Sequence, residues 1–316
     1  MKPVAFVFPG QGSQSVGMLD AWGDHLAVRE TLREASEALG EDLGALIQGG
    51  PKEDLALTTN TQPVMLVAGV ACWRAWRAEG GDLPAAVAGH SLGEYSALVA
   101  AEALTLAQAV PLVRLRAAAM QQAVPVGTGA MAAILGLDAA KVIAGCAEAT
   151  RAMGQDGTEI VEAVNFNDPV QTVIAGTKAA VDKACEVLKG LGAKRALPLP
   201  VSAPFHSSLM KPAAERLKAA LAGIDLAPPR IPVVNNIDVM IESEPGRIRD
   251  ALYRQAFGPV RWVECIQKIK AMGLHTVIEC GPGKALAGMT KRIDAELTGA
   301  AMYDPATLAE AKALVG

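Results

Sequence analysis

The chain has 316 residues, of which 51% are hydrophobic and 20% charged, and its formal net charge is −4. This composition predicts a globular protein, and the small net charge excludes a global attraction to nucleic acid or to an anionic membrane. The five cysteines are odd in number and lack metal-site spacing, so we expect reduced thiols in a cytoplasmic protein and no metal site.

The first part of the chain predicts a strand, a tight turn and a helix around a serine. Residues 4–8 are a continuous apolar run ended by Pro-Gly, which is typical of a central strand. A second short strand is predicted at residues 85–88, followed directly by Gly89-His-Ser91-Leu-Gly93 and by a helical pattern over residues 94–101. Further helices are predicted over residues 26–39, 63–77 and 104–121. The apolar run at residues 63–73 is too short to span a membrane.

The middle of the chain predicts a different arrangement. Strands are expected at residues 130–136, 159–164, 171–175 and 194–199, helices at 138–151 and 177–188, and a turn at 165–169. This β-α-β-β-α-β order is the ferredoxin-like unit. Beyond it, helices (210–221, 246–257, 263–272, 284–293) again alternate with strands (231–235, 276–280).

These patterns predict an α/β fold. We expect a hydrolase-like body with a central, mainly parallel sheet, formed by residues 1–128 and 199–316. A smaller ferredoxin-like α+β subdomain, residues 129–198, interrupts this body.

The Gly89-x-Ser91-x-Gly93 pattern is that of a nucleophile elbow. Small neighbours let a strained turn form, and the serine hydroxyl then stands at the N-terminus of the next helix, where N–H groups favour an oxyanion. The alternative is a glycine-rich turn with a capping serine.

A nucleophilic serine needs a base, and the chain has four histidines. His90 adjoins Ser91 on the sharp turn, so its side chain should point elsewhere. His25 lies in a polar helical region, and His275 opens a strand. His206 stands at a loop end between a strand and a helix, where catalytic side chains are often displayed, although a histidine near a helix N-cap is the alternative.

Five motifs occur together and in order: Phe8-Pro-Gly-Gln11-Gly-Ser-Gln14, Gly89-His-Ser91-Leu-Gly-Glu94, Arg116, Ala203-Pro-Phe-His206-Ser and Gly281-Pro-Gly283. With these motifs the chain resembles the malonyl-CoA:acyl-carrier-protein transacylases and the related acyltransferase domains of polyketide synthases. The resemblance covers essentially the whole chain.

The resemblance implies a role for each matched residue. Ser91 is the residue acylated, and His206 is the general base and acid. A main-chain carbonyl near Gln255 orients the histidine in place of a carboxylate. The backbone N–H groups of Gln11 and Leu92 form the oxyanion hole.

The resemblance also implies the substrate-binding residues. Arg114 and Arg116 lie on one predicted helix and point to different faces. The family match selects Arg116, whose guanidinium would bind a carboxylate of the acyl group. Phe205 matches the malonyl-selecting form of its loop. Gln255 and Asn165 are further candidates for the substrate site, and a turn residue is the alternative for Asn165.

The activity implied is transfer of malonyl from coenzyme A to the phosphopantetheine thiol of acyl carrier protein, by a ping-pong route that feeds fatty-acid synthesis. No bound cofactor is expected, since malonyl-CoA is a substrate and the phosphopantetheine belongs to the partner. We also expect a monomer with no nucleic-acid or membrane partner. The alternatives are an acyltransferase of a polyketide pathway, a serine esterase or thioesterase, and a non-catalytic scaffold.

Overall fold

The computed structural model describes residues 2–154, 157–201 and 203–316, and two β-sheets organise them. The strands in chain order are β1 (Val4–Phe8), β2 (Ala86–Gly89), β3 (Gly129–Leu135), β4 (Val161–Asp168), β5 (Gln171–Thr177), β6 (Arg195–Pro198), β7 (Val233–Val234), β8 (Thr276–Cys280) and β9 (Thr298–Met302). The larger sheet is parallel and has the order β7-β2-β1-β8-β9. The smaller sheet is antiparallel and has the order β4-β5-β3-β6.

Helices cover both faces of the parallel sheet and one face of the antiparallel sheet. In chain order they are α1 (Leu26–Leu39), α2 (Leu43–Gly49), α3 (Lys52–Ala56), α4 (Thr58–Ala78), α5 (Gly93–Ala100), α6 (Leu106–Gln122), α7 (Ala139–Met153), α8 (Lys178–Gly190), α9 (Lys211–Ala222), α10 (Pro245–Gln255), α11 (Trp262–Ala271), α12 (Ala285–Ile293) and α13 (Pro305–Val315). Short 3-10 turns occur at Asp20–Trp22 and Ser208–Met210.

Strand β1 lies in the middle of the parallel sheet, and all five of its residues are buried. Phe6 and Phe8 pack into the core that includes α4 and α6, whereas Ala5 and Val7 pack into the core that includes α11. Alternate residues of a strand face opposite sides, so a strand covered on both faces needs a continuous apolar run. The predicted central strand is confirmed.

The position of β1 beside β2 explains the place of the site. The two strands are parallel and hydrogen-bonded neighbours, with Phe8 paired to Gly89. Their carboxyl ends therefore meet at one edge of the sheet, where ligands bind in open parallel sheets. The segments that follow them carry Gln11 and Ser91.

The small sheet has the strand order and antiparallel pairing of the ferredoxin-like fold, as predicted. One face packs on α7 and α8 through Ile134, Ile174 and their neighbours. The other face, with Met131 and Val173, packs against Leu199, Val201 and Phe205 on the side of the larger sheet. The predicted domain boundaries at residues 128/129 and 198/199 coincide with the first and last residues of the antiparallel sheet. The division into two domains stays a prediction.

Two features of the fold differ from the sequence prediction. The turn expected at residues 165–169 is wrong in its bounds, since β4 continues to Asp168. The strand extends because its free edge is held by the body: Phe166 N–H donates to the Val260 carbonyl, and Val260 N–H donates to the Val164 carbonyl. The edge strand β9 and the helices α2, α3 and α13 were not predicted.

Candidate active site

Ser91 occupies a sharp turn between β2 and α5. Its φ is +53°, in the left-handed region that residues other than glycine rarely adopt. A Cβ atom at Gly89 would lie 1.9 Å from the Gly93 carbonyl, and one at Gly93 would lie 2.1 Å from the Phe8 carbonyl oxygen. The two glycines are thus required sterically, and they allow a strained turn that displays the serine hydroxyl.

His206 is the histidine that contacts this serine. The Ser91 hydroxyl donates to His206 Nε2 at 2.7 Å, and His206 Nδ1–H donates to the Gln255 carbonyl oxygen at 2.8 Å. A carbonyl oxygen only accepts, so this contact fixes the tautomer that leaves Nε2 free to accept a proton. Like Ser91, His206 has a left-handed backbone, with φ +67°.

The environment keeps the His206 imidazole neutral. The side chain is almost fully buried, and burial, followed by the positive charge of Arg116, lowers the pKa of His206 to about 3. A neutral imidazole is the form that acts as a general base.

Arg116 reaches the same serine from α6. Its guanidinium is 2% exposed, and Nη2 donates to Ser91 Oγ and to Gln255 Oε1, each at 3.1 Å. Nη1 donates to Gln62 Oε1 at 2.7 Å, and no partner for Nε occurs among the described residues. Arg116 forms no ion pair within the described part of the chain. Arg114, two residues earlier, points away and binds Glu41.

The segment after β1 lies against the serine turn. A Cβ at Gly10 would come 2.6 Å from the His90 carbonyl oxygen, so a glycine allows this approach. Neither the Gln11 nor the Leu92 backbone N–H donates to an acceptor in residues 2–154, 157–201 and 203–316. Leu92 directly precedes α5, at the end of the helix dipole that favours negative charge. These two N–H groups remain available to a ligand oxygen.

A cavity of about 340 Å³ opens over the serine, between the two sheets. The residues that line it come from the segment after β1, the serine turn, α3, α4, α6, β3, β4 and the 199–206 loop: Gln11, Gly12, Gln14, Ala56, Gln62, His90, Ser91, Leu92, Arg116, Met120, Met131, Asn165, Leu199, Pro200, Val201, Phe205 and His206. Seven of the eight predicted site residues border this space.

Gln255 is the predicted site residue that does not border the cavity. Its side chain is fully buried behind Arg116, so the structure does not support a contact with substrate. Its Nε2 donates to the Ser91 carbonyl at 3.0 Å and to Glu94 Oε2 at 2.9 Å, and its Oε1 accepts from Arg116. Gln255 therefore positions the serine, the histidine and the arginine at once.

Asn165 lies on β4 rather than in a turn. Its Oδ1 is buried and has no hydrogen-bond partner among the described residues. Since Asn165 lines the cavity, this oxygen is an acceptor available to a ligand N–H group.

Sequence reasoning missed the residues that support the turn from below. Asn236 Oδ1 accepts from Ser91 N–H at 2.7 Å, and its Nδ2 donates to the Gly89 carbonyl at 2.7 Å. Glu94 Oε2 accepts from Asn236 N–H at 2.9 Å. Glu94 was visible as the last residue of the Gly89–Glu94 motif. Asn236 is 145 residues from Ser91 and carries no local signal.

The other histidines do not touch Ser91 Oγ. His90 Nε2–H donates to Asn167 Oδ1 at 2.8 Å and ties the serine turn to β4. His25 packs edge-on against Trp22, and its partly exposed side chain lies 3.4 Å from Glu79 at the surface. His275 is exposed and precedes β8.

Neither a metal-binding cluster nor a membrane-spanning helix occurs among the described residues. No cluster of three His, Cys, Asp or Glu residues there has the geometry to hold a metal ion. No helix in the same ranges has both the length and the apolar content needed to cross a membrane.

Comparison with known proteins agrees with this geometry. The acyl transferase domain family matches residues 5–302. A malonyl CoA-acyl carrier protein transacylase of Salmonella typhimurium is 54% identical, over 98% of this chain and 99% of the relative. A solved acyl-carrier-protein S-malonyltransferase of Burkholderia pseudomallei is 65% identical, with a TM-score of 0.95 over 98% of this chain and 99% of that one. A malonyl-transacylase solved in complex with a type II PKS acyl-carrier protein is 50% identical, with a TM-score of 0.94 over 98% of this chain and 99% of that one.

Proposed function

The chain belongs to the acyl transferase domain family, and we propose that it transfers a malonyl group from coenzyme A to the phosphopantetheine thiol of acyl carrier protein through an ester on Ser91. One observation carries the mechanism: the Ser91 hydroxyl contacts a neutral histidine on one side and, on the other, a buried arginine that makes no direct ion pair with any described residue. The histidine supplies a base for acyl transfer, and the arginine supplies a partner for a carboxylate on the acyl group.

In the first half-reaction, Ser91 Oγ attacks the thioester carbonyl while its proton moves to His206 Nε2. The Gln11 and Leu92 N–H groups hold the tetrahedral oxyanion. Collapse breaks the C–S bond, and the imidazolium returns the proton to the leaving coenzyme A thiolate. The product is a malonyl ester of Ser91.

In the second half-reaction, the carrier's phosphopantetheine thiol gives its proton to His206 Nε2, and its sulfur attacks the ester carbonyl. The same oxyanion hole serves this step. Collapse breaks the C–O bond, and Ser91 Oγ takes the proton back from the imidazolium. The proton that the carrier thiol brings ends on Ser91 Oγ and replaces the one that left with coenzyme A, so the enzyme returns to its starting state.

Arg116 accounts for selection of a dicarboxylic acyl group. In a malonyl ester the free carboxylate is one CH₂ group from the ester carbonyl, and Arg116 Nη2 is 3.1 Å from the serine oxygen. The malonyl group can therefore fold so that its free carboxylate contacts the Arg116 guanidinium. An acetyl group leaves the buried cation without a carboxylate, at a cost that disfavours it.

Two lining residues refine the substrate. Phe205 is half-buried at the cavity wall and limits the space beside the acyl group, and exclusion of one extra methyl is worth about 1–3 kcal/mol. Asn165 Oδ1 is placed to accept an amide N–H of the pantetheine arm, which coenzyme A and the carrier share.

The pathway, the oligomeric state and the substrates are proposed from the same family membership and site geometry. We place the reaction in cytoplasmic fatty-acid synthesis, in a monomer that holds no cofactor of its own, with malonyl-CoA and acyl carrier protein as its substrates. A polyketide pathway is the alternative, since a 50% identical transacylase is paired with a type II PKS carrier. Rates with carriers of each kind separate the two pathways.

The test is a transfer assay with malonyl-CoA, with and without a phosphopantetheinylated acyl carrier protein. We expect coenzyme A release to stop after about one turnover without the carrier, and to continue with malonyl-carrier formation when the carrier is present. Steady release without the carrier indicates the esterase or thioesterase alternative. Absence of release under both conditions indicates a non-catalytic protein. Ser91→Ala is the control and loses both signals.

A further inference from the structure

A buried carboxylate lies directly beneath the proposed site. Glu94, in the first turn of α5, is 2% exposed and does not border the cavity. Two N–H donors converge on its Oε2 at 2.9 Å, one from the Asn236 backbone and one from the Gln255 side chain. No ion pair within hydrogen-bond distance neutralises it in the described part of the chain.

Gln255 connects this carboxylate to Arg116. Its Nε2 donates to Glu94, and its Oε1 accepts from Arg116 Nη2. A carboxylate accepts and a guanidinium donates, so these two neighbours allow only one orientation of the amide. Glu94 and Arg116 are thereby a buried pair of opposite charges, separated by one amide group.

Other titratable groups surround Glu94, and each has a fixed charge near neutral pH. Burial raises the pKa of Tyr95 to about 12 and that of Cys265 above its usual range, so both stay protonated. His206 is neutral because its pKa is lowered to about 3. The Arg254 guanidinium lowers the pKa of Asp238, which stays ionised. Burial of Glu94 raises its own pKa to about 7, so this is the group that titrates in the working range.

We propose that Glu94 is a positioning residue, the internal counter-charge of Arg116, and that its ionisation state sets how strongly the site binds the free carboxylate of an acyl group. This inference rests on the proposed function. An incoming malonyl carboxylate places a second negative charge on a single buried guanidinium. Like charges so close disfavour each other, and Glu94 is the partner that can become neutral by taking a proton.

Binding of malonyl and protonation of Glu94 are therefore linked. Bound malonyl raises the pKa of Glu94, so malonyl loading takes up a proton, and by the same linkage malonyl binding weakens as rising pH ionises Glu94. Each unit by which bound malonyl shifts this pKa corresponds to about a tenfold change in affinity. Acetyl groups carry no charge and leave the equilibrium unchanged.

The experiment measures the second-order rate constant for Ser91 acylation between pH 6 and pH 9, by rapid quench and intact mass. Malonyl-CoA and acetyl-CoA are compared, because the coenzyme A phosphates titrate equally in both. For the wild type we expect the malonyl-to-acetyl ratio to fall about tenfold across the range. In Glu94→Gln, which keeps an acceptor for Asn236 and Gln255, we expect a ratio that does not depend on pH.

A matched control is Glu279→Gln. Glu279 is also a fully buried glutamate whose pKa burial raises to about 7, but it binds the N-terminus of α12, away from the cavity. This variant keeps the wild-type pH dependence of the ratio. A flat wild-type ratio, or a Glu94→Gln variant with the wild-type slope, overturns the inference. Failure of the wild type to form any malonyl ester instead refutes the proposed function.

A second measurement needs no folded Glu94 variant. Calorimetric titration of Ser91→Ala protein with malonyl-CoA near pH 7.5, in two buffers of different ionisation enthalpy, counts the protons taken up. We expect net uptake with malonyl-CoA that exceeds the uptake with acetyl-CoA. Equal proton counts for the two ligands overturn the inference.

Discussion

Removal of the Arg116 side chain is predicted to abolish the preference for malonyl over acetyl. A carboxylate bound bidentately gains two charge-assisted hydrogen bonds, each worth about 1.5–3 kcal/mol. Arg116 already donates to Gln62 and Gln255 within the protein, so we take the lower end of the sum. A loss of about 3 kcal/mol corresponds to roughly a 150-fold fall in the malonyl-to-acetyl ratio of acylation rate constants.

The assay follows acyl-enzyme formation from each thioester at early times, with thermal unfolding measured in parallel. Thermal unfolding is measured because Arg116→Ala leaves the Gln62 and Gln255 oxygens without this donor. Each unsatisfied oxygen lowers the stability of the fold by about 1–3 kcal/mol. Arg116→Lys retains a charge and serves as the milder variant. Arg114→Ala is the matched control, since Arg114 binds Glu41 at the surface, a pair worth about 0–1 kcal/mol. A folded Arg116→Ala protein with an unchanged malonyl-to-acetyl ratio refutes the assigned role.

Three further predictions concern the serine turn, the base and a buried carboxylate. Gly93→Ala places a Cβ 2.1 Å from the Phe8 carbonyl oxygen, so we expect a loss of both acylation and thermal stability. Gly246 is exposed and a Cβ there meets nothing within 4 Å, so the control variant Gly246→Ala stays active and equally stable. His206 remains neutral down to a pH of about 3, so the saturating acylation rate stays level from pH 8 to pH 5, and a fall centred near pH 6.5 contradicts this. Burial raises the pKa of Glu279 from 4.5 to about 7, so its contribution to stability is full below about pH 4.5 and is lost as the pH rises through about 7. In urea unfolding, we therefore expect the free energy of unfolding to depend less on pH in Glu279→Gln than in the wild type.

Local motifs predicted the features that depend on neighbouring residues. The apolar run of β1 predicts a central strand, and the glycines around Ser91 predict a tight turn. Both predictions depend only on the size and polarity of side chains that are adjacent in sequence. The choice of Arg116 over Arg114 required the family resemblance, since helix periodicity places them on different faces without telling which face meets the serine.

Features that depend on distant contacts were not predictable from local patterns. Asn165 has a turn propensity, but β4 is extended by hydrogen bonds to residue 260 of the body. Asn236 and Gln255 reach Ser91 from 145 and 164 residues away. Glu94 belongs to a local motif, but its pairing with Arg116 depends on Gln255, which lies between them.

A malonyl ester on Ser91 is the intermediate on which the whole proposed mechanism depends. The most direct test incubates the protein with malonyl-CoA alone, takes an intact mass and maps the modified peptide. We predict one malonyl group per chain, located on Ser91, which disappears when a phosphopantetheinylated carrier is added and never forms on Ser91→Ala. A malonyl group on another residue, or an equal adduct on Ser91→Ala, would contradict the account.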